Sequence, residues 1–146
     1  MAQDIAKIVR QLQRKYDTTS PFEIAGQRKI NVYYEPLGSI RGYYTCFCRV
    51  KSIHINTDLD DDKQLFVCAH ELGHAVLHPK SNTPFLQENT LFSVNKLEVE
   101  ANRFASCMLY PDDVLLEYAD FSIDQISQAL SLPLDLVEWR YEQIVK

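Results

Sequence analysis

His70-Glu71-Leu72-Gly73-His74-Ala75-Val76-Leu77-His78 decides how the rest of this 146-residue chain is read. Positions four apart on an α-helix lie one above the other, so His70 and His74 can direct two imidazoles at one metal ion. Glu71 is rotated by about 100° from the first histidine, which aims its carboxylate at the place of a metal-bound water. This is the pattern of a catalytic zinc site, in which the ion lowers the pKa of a water from 15.7 to about 7 and Glu71 takes its proton. The neighbours Val67, Ala69, Leu72, Ala75, Val76 and Leu77 are apolar, so the stretch is not a solvated surface. Two imidazoles and a carboxylate buried there would be costly unless hydrogen-bonded or bound to metal. Gly73, which costs about 1 kcal/mol in a helix interior, points to a close neighbour.

The helix is expected from about Asp62 to His78, with Pro79 helping to stop it. The acids ahead of it, Asp58, Asp60, Asp61 and Asp62, lack the sixth-position glycine and twelfth-position glutamate of a calcium loop. They read instead as an N-cap and first turn that favour the positive end of the helix dipole.

A catalytic zinc normally has three protein ligands and one open position. His78 is a poor third, because ligands at three successive i, i+4 positions of a straight helix lie in a row and not around an ion. A later helix, roughly Val94 to Leu109, offers Glu98 and Glu100 on opposite flanks of a core face made by Leu97, Ala101, Phe104, Ala105 and Met108. The small or neutral residues Ala101, Ala105 and Asn102 let the Glu98 flank approach the zinc helix. Glu100 can instead pair with Arg103 at i, i+3. Glu98 is therefore the expected third ligand, with Glu100 the alternative, and Asn102 is placed to accept a ligand histidine's spare ring N–H.

The segments around this pair are structural. Ala2 to Tyr16 has the apolar stripe of an amphipathic helix. Ser20, Pro21, Glu23 and Gly26 punctuate a short second one as N-cap, first residue, capping-box acid and stop. From Ile30 the period becomes two, giving strands at Ile30–Tyr34, Tyr43–Val50 and about Ser52–Asn56, with turn residues between Leu37 and Gly42. His54 faces away from Ile53 and Ile55 and reads as a sheet-face histidine. Cys46, Cys48, Cys68 and Cys107 read as buried free thiols, in keeping with a reducing cytoplasm, with Cys46 and Cys48 on one strand face. The chain shows no leader pattern and no apolar run near the roughly 20 residues of a membrane span.

Taken together, His70-Glu71-Leu72-Gly73-His74, Glu98-Val99-Glu100-Ala101-Asn102-Arg103-Phe104-Ala105 and the Leu109-Tyr110-Pro111 ending resemble the ImmA/IrrE family of metallopeptidases. The likeness runs from Pro21-Phe22 and the Leu37-Gly38 turn to Pro111. It implies a gluzincin-type intracellular zinc protease, in a family often encoded by phages and integrative elements, several of whose members cleave a helix-turn-helix repressor. By position it implies His70, His74 and Glu98 as zinc ligands and Glu71 as the catalytic glutamate. Tyr110 departs from the methionine common there.

Ile123–Leu130, the turn Ser131-Leu132-Pro133 and a helix from Leu134 could pass for a helix-turn-helix. However, the chain from Pro111 on has eight acids against Arg140 and Lys146, a net charge of −6, within a whole-chain charge of −5. A phosphate backbone would be repelled and a basic protein attracted. The expectation is one α+β domain over residues 1–146. A sheet of about three strands packs on the zinc helix and the Glu98 helix, and a helical C-terminal subregion begins near 118. The expected activity is a zinc endopeptidase acting on a DNA-binding repressor in the cytoplasm, without direct nucleic-acid or membrane contact. The rival is a non-catalytic module that sequesters a repressor or antitoxin-like partner.

Overall fold

A computed structural model describes residues 4–82, 84–86 and 96–145. Helix α1 (Ile5–Tyr16) is capped by the Asp4 side chain on the Lys7 N–H and buries Ile5, Val9 and Leu12. Residues 2 and 3 of the expected helix lie outside the described residues. Helix α2 (Pro21–Gln27) starts as read, with Ser20 accepting from the Glu23 N–H. Gly26 does not end it: the helix runs on to Gln27 and is capped at Arg28.

The sheet has the order β1–β3–β2–β4, comprising β1 (Asn31–Glu35), β2 (Ile40–Phe47), β3 (Val50–Asn56) and β4 (Pro84–Leu86). β3 pairs parallel with β1 and antiparallel with β2, and β2 pairs antiparallel with β4. The expected middle strand, Tyr43 to Val50, is in fact cut by a two-residue turn at Cys48-Arg49, both with positive φ (51° and 69°). Such hairpin turns favour Asn or Gly, and neither is present to signal it. Cys48 therefore sits exposed in the turn and not beside Cys46 on the strand; of the four thiols expected to be buried only Cys68 is, Cys46 and Cys107 being half-buried. The short β4 begins with proline, which an edge strand tolerates at its first residue but which hides it from a period-two reading.

Alternation gives the sheet one apolar face. Tyr44 lies opposite Ile53, and Gly42 opposite Ile55, and Tyr44, Ile53 and Ile55 are fully buried. Helix α3 (Asp61–Leu77), capped by Asp60, lies on this face. Gly42 permits it, because a Cβ there would come within 2.5 Å of the His54 carbonyl and 2.6 Å of Val67 Cγ1. Helix α4 (Lys96–Leu109) packs along α3 and against α1. Residues 94 and 95, its expected start, lie outside the described residues. Helices α5 (Asp112–Leu116), α6 (Ile123–Leu130) and α7 (Leu134–Val145) complete an α+β fold. α6 opens with a capping box between Ser122 and Gln125 and closes on Ser131 in the left-handed region. Arg140 on α7 is buried and donates to the Ser106 carbonyl on α4 and to Asp112, which docks the C-terminal helices on the main core.

Candidate metal centre

Every residue of α3 from Val67 to Ala75 is buried, because the sheet, α2 and α4 pack around this part of the helix. His70, Glu71 and His74 are accordingly fully shielded from solvent. α4 brings Glu98 and Asn102 against them, the first 2% and the second 5% exposed.

Candidate donor atoms of His70, His74 and Glu98 lie within 4.8 Å of one another. His70 Nε2 is 2.8 Å from Glu98 Oε2, and His74 Nε2 is 3.2 Å from Glu98 Oε1. Metal–ligand bonds of roughly 2.0–2.1 Å in a tetrahedron set donors about 3.3 Å apart, so the spacing already suits an ion. Both oxygens of Glu71 are buried without a hydrogen-bond partner among the described residues, and Oε2 is 4.0 Å from His70 Nε2. A dry carboxylate with nothing to accept from, beside three converging donors, fits a site that takes up a cation and a water.

The outer nitrogens are also held. His70 Nδ1 is 2.7 Å from Asn102 Oδ1, so a metal on Nε2 would leave Nδ1–H donating to that amide. His74 Nδ1 is 3.0 Å from His78 Nδ1, whose Nε2 is 2.8 Å from Glu100 Oε1. Glu100 thus reaches across to α3, and its carboxylate pairs with His78 where the sequence suggested Arg103. This link escaped the sequence reading because it joins residues 22 apart, whereas His78 is weighed there only as a ligand.

Electrostatics follow burial. Burial pushes His70 below its ordinary value, outweighing the Glu98 and Asn102 contacts that support its charge. Glu71 is raised well above the usual carboxyl range, first by burial and then by the Glu98 charge. For Glu98, burial acts upward but the hydrogen bonds and charges of His70 and His74 prevail and hold it down at about 2.

His54 stands apart from the cluster. Its ring stacks on Tyr43 (4.3 Å between centroids) and on Tyr33 (5.1 Å), and Nδ1 is 2.7 Å from Glu35 Oε1.

Over residues 25–139 the chain matches the family described as the IrrE N-terminal-like domain. It is 46% identical over 135 residues to "Uncharacterized immunity region protein 2" of Bacillus phage phi105, covering 90% of this chain and 85% of that one. It is 31% identical over 142 residues to "Metallopeptidase ImmA" of Bacillus subtilis (strain 168), covering 93% and 83%.

Proposed function

The chain belongs to the ImmA/IrrE family of metallopeptidases, and from that premise we propose that it is a zinc-dependent endopeptidase cleaving a helix-turn-helix repressor of a phage or mobile element. The observation that carries this reading is the convergence of His70, His74 and Glu98 beside a buried glutamate with no hydrogen-bond partner among the described residues. His70, His74 and Glu98 would hold the ion, which when bound supplies a water acidic enough to lose its proton near pH 7 and polarises the scissile carbonyl. Glu71 takes the proton from the water as its oxygen bonds to the carbonyl carbon, and returns it to the leaving amine when the amide C–N bond then breaks, so that no net proton is consumed.

A protein substrate is supported by the name of the metallopeptidase relative, and an immunity role by that of the phage relative. The acidic C-terminal region suits a basic partner better than DNA itself. No helix among the described residues is long and apolar enough to cross a membrane, which fits a cytoplasmic encounter.

The test incubates the zinc-loaded protein with a candidate helix-turn-helix repressor and identifies fragments by mass spectrometry. Wild type cuts at one site, and Glu71→Gln slows cutting by roughly 10²–10⁴-fold while retaining its zinc. If both forms neutralise the repressor equally and no fragment appears, the protein acts by sequestration and the protease reading fails.

A further inference from the structure

The geometry points to His78 and Glu100 as positioning residues that hold His74 in the one tautomer able to bind the ion. The inference rests on the zinc reading above. His78 stands at the C-cap of α3, where the chain leaves the helix (φ −134°, ψ 59°), while its N–H still donates to the His74 carbonyl at 2.7 Å. That end of the helix is pinned from the sheet, since the buried Tyr44 donates its hydroxyl to the Pro79 carbonyl at 2.7 Å. The His78 ring is thus presented to His74 Nδ1 on one side and to Glu100 of α4 on the other.

The chain of contacts has a direction. An ionised carboxylate only accepts hydrogen bonds, so Glu100 requires the proton of His78 on Nε2. In the neutral ring His78 Nδ1 is then a lone pair and accepts from His74 Nδ1–H. His74 Nε2 is left as a lone pair facing Glu98 and the cluster. The opposite polarity would set the lone pair of His78 Nε2 against the carboxylate and turn an N–H of His74 toward the ion. Asn102 Oδ1 makes the matching choice for His70, accepting from its Nδ1–H. Each ligand histidine is therefore held from its Nδ1 side, and Glu100, the residue that competes with Glu98 for the ligand role in the sequence, acts one imidazole further out.

Zinc affinity, measured by competition with a chromophoric chelator, and the visible spectrum of the cobalt-substituted protein are compared for wild type, His78→Phe, His78→Gln and Glu100→Leu. His78→Phe and Glu100→Leu lose about 10–100-fold in affinity, the usual cost of removing an outer partner of a ligand, and broaden the cobalt spectrum. His78→Gln recovers most of the affinity, because its amide oxygen can accept from His74 and its NH₂ can donate to Glu100. Metal-free melting temperatures of all four stay alike. If His78→Phe folds poorly, Glu100→Leu, a change at a partly exposed residue, decides alone. Wild-type affinity in Glu100→Leu and in any folded His78→Phe overturns the inference and leaves the zinc reading intact. Failure of wild type itself to take up zinc overturns both.

Discussion

Glu71 is a carboxylate buried without a hydrogen bond among the described residues, and its raised pKa makes it a cost to the metal-free fold. The sign follows from linkage. Below its unfolded value near 4.5 it is neutral in both states and adds no pH-dependent cost. Above that value the unfolded chain ionises first, so stability is lost as pH rises toward the folded pKa, at roughly 1.4 kcal/mol per pH unit. Metal-free Glu71→Gln should therefore melt close to wild type at pH 4.5 and progressively above it toward pH 7. A gap in melting temperature that stays constant with pH would show that the carboxylate is not desolvated as described. At this scale the sequence was informative where the chemistry is local. The spacing of His70, Glu71 and His74 follows from helix geometry alone, and Glu98 was reachable because Ala101, Asn102 and Ala105 make its flank slim. Glu100 was assigned to Arg103 because one helix shows its own neighbours, and only the packing of α4 on α3 reveals His78.

The distance between α3 and α4 is set at Gly73. A Cβ there would stand 3.1 Å from Cβ, Cγ and Cδ1 of Phe104, closer than an ordinary contact, and the Phe104 Cβ cannot withdraw without moving its helix. Gly26, in the exposed part of α2, has nothing within 4 Å. The same substitution should consequently have opposite signs at the two sites. Gly26→Ala gains about 0.5–1 kcal/mol from reduced backbone freedom in the unfolded chain. At Gly73→Ala a similar gain is outweighed by overpacking of about 1–3 kcal/mol, and the shift of α4 also weakens metal binding through Glu98. Urea titrations of both variants, with zinc affinity for the second, check this; equal stabilisation at the two sites would contradict the contact. Elements with their own punctuation were legible, as Ser20-Pro21 for α2, the acid run before α3, and the Ser131-Leu132-Pro133 turn between α6 and α7 show. β4 and α5 were missed because three and five residues carry too little pattern, and the β2–β3 turn because Cys48 and Arg49 take positive φ without being the residues that favour it.

How the elements assemble was the least legible level, and Arg140 shows why. In the sequence it counts as one of two bases relieving an acidic C-terminal region, but in the fold it is 3% exposed and spent on Ser106 and Asp112. Because Arg140 and Asp112 cancel each other, the surface a partner meets there keeps the summed charge of −6, with one base fewer to interrupt the acids. The same docking leaves the candidate ligands on two helices, with His70 and Glu98 separated by 28 positions. An ion bound by both helices is therefore a cross-link between α3 and α4, and whatever binds the folded chain alone stabilises it by mass action. Free zinc at 100 times its dissociation constant should add about 2.7 kcal/mol. For a chain of this length that raises the melting temperature by about 10 °C. Addition of a chelator should reverse the rise, and His74→Ala should show none, because with His74 gone the two helices share at most His70 and Glu98 as donors. Calorimetry across a zinc series in wild type and His74→Ala tests the point. A rise of equal size in both would place the ion elsewhere on the molecule and break the link between the paired helices and the proposed chemistry.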